Sequence, residues 1–168
     1  MSVLENVSMI AAIGKNNELG KDNNLIWLIK EDLNFFKEYT WGKQMVMGYN
    51  TFYSLRKGKP LPGRKHIILT KNHENDIEKN DQIYIVNNLS ALLEYIENYK
   101  EEIVVIGGSS LYKNMLEYAK KLIITRIDAS AVADVYFPEI KEDDWTRKTI
   151  YKNHEEGFSY KREIYIRK

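Results

Sequence analysis

Ile103-Val104-Val105-Ile106-Gly107-Gly108-Ser109-Ser110-Leu111-Tyr112 reads as a buried strand that meets a helix through two glycines. Four consecutive β-branched residues need cover on both faces, which parallel strands of an α/β protein receive from crossover helices. The helical side continues with Leu111, Met115 and Leu116 at helical spacing. Glycines at such a junction let backbone approach closely and expose N–H groups at the positive end of a helix, where a phosphate is held. A tight turn with unusual backbone angles accounts for Gly-Gly equally well, because the spacing is not the G-x-G-x-x-G fingerprint.

The same alternation extends on both sides of this junction. Residues 7–13, 44–47, 65–69, 82–86 and 122–127 are short, β-branched and apolar, and they read as further strands. Leu89, Leu92, Leu93 and Ile96 form a helical stripe after the strand ending near Val86. The expected fold is therefore α/β, a mostly parallel sheet with helices on both faces. At the C-terminal end, residues 145–151 and 160–166 alternate in polarity around a polar turn at 153–157, the pattern of an antiparallel hairpin. Residues 72–81 read as a surface loop, so residues 1–168 are expected to form a single domain.

Composition narrows the class. With 168 residues, 43% hydrophobic and 29% charged, the chain can enclose a core without staples. The 25 basic residues are matched by 24 acidic ones, giving a net charge of +1, so no nucleic-acid partner is expected. Cysteine is absent and His66, His73 and His154 lack a paired ligand spacing. They read as surface residues, and no metal is expected. No apolar run is long enough for a membrane span and no basic-then-apolar leader opens the chain, so a cytoplasmic protein without a membrane partner is expected.

Two polar residues stand out against this background. Ile29, Asp32, Leu33 and Phe36 follow the i, i+3, i+4, i+7 pattern of one helical face, which sets an acid on an apolar stripe. Burying a carboxylate costs several kcal/mol without a partner, roughly, so Asp32 either has a cationic or hydrogen-bonding ligand or lies at the stripe's edge near a helix N-terminus. Pro60-Leu61-Pro62-Gly63-Arg64 fixes a guanidinium at a loop-to-strand junction. Such a group either grips a carboxylate through two parallel bonds or is simply solvated.

Taken together, these motifs resemble the dihydrofolate reductase family from Val7 to Ile166. The resemblance is carried by Ile10-Ala11-Ala12-Ile13-Gly14 with Asn16 and Leu19-Gly20, by Trp27, and by Asp32-Leu33 with Phe35-Phe36-Lys37. It continues through Met47-Gly48, Thr51, Ser54, Leu61-Pro62-Gly63-Arg64, Ile106-Gly107-Gly108 with Tyr112, Thr125, and Asp134 before Phe137-Pro138. It implies a central, mostly parallel eight-stranded sheet with an antiparallel C-terminal edge strand. It also implies a monomer that reduces dihydrofolate with NADPH and binds antifolate inhibitors.

Under that resemblance Asp32 would bind the pterin's 2-amino group and adjacent ring nitrogen and favour protonation at N5. Thr125 would hydrogen-bond Asp32, and Trp27 would order water near the pterin. Leu33 and Phe36 would pack on the substrate ring, Leu55 and Leu61 on the benzoyl group, and Arg64 would hold the glutamate α-carboxylate. Ile10 and Ile106 would offer backbone carbonyls. For the cofactor, Ala12, Leu19 and Gly20 would lie near the nicotinamide, Gly48 and Thr51 at the phosphates, and Thr70 and Lys71 at the 2′-phosphate. Gly107, Gly108, Ser109, Ser110, Leu111 and Tyr112 would meet the pyrophosphate and its surroundings, with Gly107-Gly108 often cis in the family. Residues 16–24 would be a mobile loop, its closed form stabilised by Asp134.

Three positions depart from the family pattern. Ile26 stands where proline usually precedes the tryptophan, Tyr49-Asn50 where many relatives carry basic residues, and Ser109 where a third glycine is common. A pyrimidine reductase of riboflavin synthesis shares the fold but has no use for Asp32 or Arg64. A binding-only relative would not need Asp32, Trp27 and Thr125 together.

Overall fold

The computed structural model describes residues 2–168, and Met1 lies outside the described residues. Strand β1 (Leu4–Ile13) leads through two short strands, β2 (Glu18–Lys21) and β3 (Asn24–Leu25), to helix α1 (Lys30–Thr40). Strand β4 (Gln44–Gly48) runs directly into α2 (Tyr49–Arg56), and β5 (Lys65–Leu69) is followed across a loop by β6 (Ile83–Val86) and α3 (Leu89–Glu97). Then come β7 (Ile103–Gly107), α4 (Ser109–Met115), β8 (Ala119–Ile127), the short β9 (Val135–Tyr136), β10 (Trp145–Glu155) and β11 (Phe158–Arg167).

Eight strands form one sheet in the order β10-β11-β8-β1-β7-β4-β5-β6. The pairs from β8 to β6 are all parallel, whereas β11 is antiparallel to both β8 and β10. The expected architecture is thus present, with the C-terminal hairpin as its antiparallel edge and β10 outermost. Alternation along the central strands divides the core in two. Val7, Met9, Ile103, Val105, Leu122 and Ile124 pack with Leu92, Ile96, Leu111 and Met115 of α3 and α4. On the other face Ile10, Val104 and Ile123 pack with Phe35, Phe36 and Tyr39 of α1, while Met45, Met47 and Ile68 pack with Phe52 of α2. Each fully buried aliphatic side chain stabilises the fold by about 1.5–3 kcal/mol.

Two local readings are corrected. Residues 16–24, expected as a mobile loop, contain β2 and the first residue of β3, and these two strands join β9 in a second, three-stranded sheet. Strands of four and two residues are too short to show a period in the sequence. The hairpin turn is also tighter than 153–157. The strands pair as far as Glu155 and Phe158, leaving Glu156 (φ 55°) and Gly157 (φ 85°) as a two-residue turn with both backbones left-handed. That is the turn type whose twist matches paired strands.

The hairpin tip also fastens α1. Its N-cap is Ile29, which has no side chain to satisfy the free N–H groups of the first turn. The carboxylates of Glu156 and Glu155 accept from the backbone N–H groups of Lys30 (2.9 Å) and Glu31 (3.3 Å), placing negative charge at the positive helix end. Glu156→Ala is therefore expected to lower stability by about 1 kcal/mol, a fall of roughly 2–4 °C in melting temperature by calorimetry. An unchanged melting temperature would show that the hairpin does not cap the helix.

Candidate active site

The site forms where the parallel strands end. At adjacent positions in the sheet, β4 passes through Gly48 into α2 and β7 passes through Gly107-Gly108 into α4, so two helix N-termini start side by side. The Gly107-Gly108 peptide is cis and Gly107 has φ 129°, a backbone only glycine adopts freely. A methyl group on Gly107 would lie 3.4 Å from Thr51 Oγ1 and 3.6 Å from the Tyr112 hydroxyl, so these residues converge on the turn. The space in front of Gly48 is open. Tyr112 is buried and donates its hydroxyl to the Ile10 carbonyl at 2.6 Å, and burial pushes that phenol's pKa up.

Asp32 closes the other end of the site. Helix α1 carries it to β8, where Thr125 Oγ1 donates to Asp32 Oδ1 at 2.5 Å. The Asp32 side chain is 17% exposed, so the carboxylate is largely withdrawn from water but still open on one side. Between Asp32 and the glycine turn, Phe36, Leu55, Leu61 and Ile106 belong to one apolar cluster, and Ile10 joins Phe36 and Ile106 in the next. Leu33 stands apart from the clusters at 39% exposure.

Arg64 lies at the loop before β5. It is buried rather than solvated, at 6% exposure. Its Nε donates to Thr40 Oγ1 at 2.9 Å and Nη2 to the Lys37 carbonyl at 2.6 Å, while Nη1 donates to the Pro62 carbonyl. One N–H on each terminal nitrogen stays available, which is the fork a carboxylate fits. The loop itself is fastened by a residue read as a surface histidine. His66 is fully buried; its Nε2 accepts the Leu61 N–H at 3.0 Å, and Gln82 donates to the carbonyls of Leu61 and Arg64. Burial pushes the His66 imidazole down to about 4, so it stays neutral and keeps that acceptor.

A model of the dihydrofolate reductase family matches residues 6–167. The chain belongs to that family. It is 40% identical over 166 residues to dihydrofolate reductase of Buchnera aphidicola subsp. Acyrthosiphon pisum, covering 96% of this chain and 99% of that protein. The Bacillus subtilis dihydrofolate reductase is 37% identical over 139 residues, covering 83% of this chain and 79% of the relative. Among solved structures, dihydrofolate reductase from Enterococcus faecalis, complexed with NADP(H) and RAB-propyl, superposes with a TM-score of 0.82 at 26% identity, over 99% of both chains.

Within this reductase fold, the remaining positions fall as follows. Ala12 pairs with Thr125 across β1 and β8, and Leu19 and Leu111 are buried together beside Tyr112. Gly20 lies in β2, where a methyl group would meet the Asn24 carbonyl at 2.9 Å. Ser109 and Ser110 open α4, and Ser110 is exposed. Thr70 and Lys71 follow β5, whose last residue Leu69 pairs with Gly48. There Tyr49, one of the residues that departs from the family pattern, stacks on His73 at 4.2 Å between ring centres. Asp134 accepts the Asp22 N–H at 3.0 Å, tying the loop carrying β2 and β3 to the strand that pairs with it. Among the described residues no group of three or more His, Cys, Asp or Glu side chains could hold a metal ion.

Trp27 donates its Nε1–H to the Glu18 carbonyl at 3.0 Å, which ties the indole to the loop at its root. Glu18, unnoticed in the sequence, completes the same anchor: its carboxylate accepts the N–H groups of Asn16 (2.7 Å) and Ala131 (2.8 Å). Burial would raise the Glu18 pKa, but the backbone N–H groups it accepts lower it on balance.

His66 gives this site a pH signature. Its folded pKa of about 4 lies below the ordinary 6.5, so the folded state resists protonation and loses stability as pH falls from 6.5 towards 4. The urea midpoint is expected to drop between pH 7 and pH 5, and to drop less in His66→Asn. Parallel pH dependence in the two proteins would remove His66 as the cause.

Proposed function

We propose that this chain reduces 7,8-dihydrofolate to 5,6,7,8-tetrahydrofolate with NADPH, Asp32 and Arg64 holding opposite ends of the substrate. The observation that carries this reading is the Asp32 carboxylate, bonded through Oδ1 with no described residue donating to Oδ2, on the helix whose Phe36 packs with Ile10 and Ile106. Dihydrofolate has the matching shape: an amidine-like edge on the pterin, an apolar ring system and a terminal carboxylate. The pterin's 2-amino group and adjacent ring nitrogen donate to Asp32. Ile10 and Ile106 present backbone carbonyls to the pterin, with Leu33 and Phe36 against the ring. Leu55 and Leu61 flank the benzoyl group, and the free N–H fork of Arg64 takes the α-carboxylate.

The residues around the glycine turn suit NADPH. Gly48, Thr51, Gly107, Gly108, Ser109 and Ser110 offer open backbone, hydroxyls and helix N-termini for the pyrophosphate. Thr70 and Lys71 supply a hydroxyl and an ammonium for the 2′-phosphate, Leu111 and Tyr112 lie with the pyrophosphate group of residues, and Ala12, Leu19 and Gly20 border the nicotinamide side. NADPH, when bound, supplies the hydride that reaches C6 of the pterin. The chain's own contribution is to align the ring, exclude water and favour protonation at N5 through Asp32, which makes C6 more electrophilic.

Loss of reduced-nicotinamide absorbance on mixing the protein with NADPH and dihydrofolate, stopped by methotrexate, is the direct test. Asp32→Asn is expected to retain fold and NADPH affinity while lowering kcat at neutral pH by about 10²–10⁴-fold, with partial recovery in acid. Unchanged turnover would remove Asp32 from the reaction. Arg64→Leu is expected to raise the KM for dihydrofolate by tens of fold, roughly, through the lost carboxylate fork, with a much smaller change in kcat. Equal loss in kcat and kcat/KM would mean that Arg64 acts elsewhere.

A further inference from the structure

The proposed reaction uses Asp32 and Thr125 and leaves the second side-chain partner of Asp32 without a task. Arg162 lies on β11 directly opposite Thr125 of β8, its side chain 2% exposed. Its Nη2 donates to Asp32 Oδ1 and to Glu31 Oε1, each at 2.8 Å, and Nη1 donates to Glu31 Oε2 at 3.3 Å. Its Nε donates to Thr125 Oγ1 at 3.3 Å. The guanidinium is sandwiched between Phe35, at 3.9 Å, and Tyr151, at 5.1 Å from the ring centres. Tyr151 faces it because the β10–β11 register shifts between Thr149 and Tyr151, a bulge that brings Tyr151 opposite Arg162. Tyr160 donates to Glu31 Oε1 at 2.8 Å and fixes the far side.

Donor chemistry gives this ring of bonds one direction. Arginine can only donate, so the Thr125 oxygen accepts from Arg162 Nε and its hydrogen must point to Asp32 Oδ1. Oδ1 then accepts from both Thr125 and Arg162, and no described residue donates to Oδ2. Two carboxylates against one guanidinium leave the cluster with one net negative charge. Burial alone would lower the Arg162 pKa, yet bonds and charges from Glu31 and Asp32 raise it. Burial would raise the Glu31 pKa, yet Arg162 and Tyr160 lower it.

We propose that Arg162, clamped by Glu31, is a positioning residue that fixes the Asp32 carboxylate through Oδ1 and so sets its orientation toward the substrate's two donors, with Glu31 restoring the negative charge that a cationic ligand edge requires. The proposal rests on the reductase reading for its substrate. The Glu31 carboxylate touches Arg162 and not the cleft side of Asp32, so its effect on ligand is through charge. Lysine at 162 would keep the charge but not the planar fork that bonds Glu31, Asp32 and Thr125 together.

The test uses the full-length protein and two variants. Arg162→Lys is expected to slow single-turnover hydride transfer at least tenfold, roughly, while the Kd for NADPH stays within about twofold, a split that mere retention of charge would not give. Glu31→Gln is expected to weaken a 2,4-diaminopyrimidine, which binds a carboxylate as its protonated amidinium, by about tenfold in a fluorescence titration. Should Arg162→Lys fail to fold, the apolar pair Arg162→Met with Glu31→Leu removes one cation and one anion together, leaves Thr125 as the donor to Asp32, and carries the same expectation for hydride transfer. Hydride transfer within twofold of wild type in the folded Arg162 variant, or unchanged diaminopyrimidine affinity in Glu31→Gln, overturns the proposal. Wild-type protein that fails to oxidise NADPH with dihydrofolate defeats the reductase reading instead, and the diaminopyrimidine titration then still decides the role of Glu31.

Discussion

A carboxylate that has to be kept largely out of water and yet open on one side is the constraint around which this structure is arranged. Withdrawing Asp32 from solvent costs several kcal/mol, roughly, unless donors replace the lost water. Those donors come from two strands, Thr125 on β8 and Arg162 on β11, and they meet only because β11 runs antiparallel beside β8 in the register that pairs these two residues. The same hairpin carries Glu155 and Glu156 to the start of α1, the helix that bears Asp32. The C-terminal edge is thus not a decorative extension of the parallel sheet. It supplies the counter-charge, the helix cap and the aromatic wall of Tyr151 for one side chain on the opposite element.

The other half of the site is built from absence of side chains rather than from charge. A parallel sheet sends every strand's C-terminal end to one edge, so ligand groups gather there. Gly107 and Gly108 bring backbone within reach of Thr51, and Gly48 leaves open space before α2. Gly14 serves the loop in the same way, since a methyl group there would lie 2.6 Å from the Glu18 carboxylate and 2.8 Å from Trp27. The close packing of Trp27 under that loop lets its indole reach the Glu18 carbonyl, so the loop is anchored at its root while its tip is tied only through the Asp22–Asp134 contact and short strand pairing.

What could be read from the sequence follows from which signals are local. Continuous apolar runs such as 103–106 identify strands buried on both faces, and the structure has a strand at every one of them. The acid on the α1 stripe was visible, because a helical period makes Asp32 conspicuous among Ile29 and Phe36. Arg162 was equally conspicuous in principle: it shares the i, i+2 face of β11 with Tyr160 and Ile164, an apolar face that a charged residue occupies only with partners. Its partners, though, lie 37 residues away at Thr125 and about 130 away at Glu31 and Asp32, and no local pattern reports such distances. His66 went unrecognised for the same reason. Its burial depends on the return of the Leu61 loop and on Phe52, not on its neighbours in β5.

Polar groups inside this fold fall into two kinds, and the difference separates support from function. Glu18 is closed: it is buried, and each carboxylate oxygen accepts a backbone N–H. Glu31 is closed by Arg162 and Tyr160 in the same sense. Asp32 is anchored through two bonds to Oδ1, Arg64 through three N–H groups and the Ile10 carbonyl through the Tyr112 hydroxyl, and each keeps hydrogen-bonding capacity that these bonds do not use. A buried polar group with unused capacity is unfavourable to the fold, and in the proposed function the substrate's own donors and acceptors complete these three. In that proposed function an acceptor on one element and a guanidinium fork on another set the substrate's polarity: donors at Asp32, an anion at Arg64.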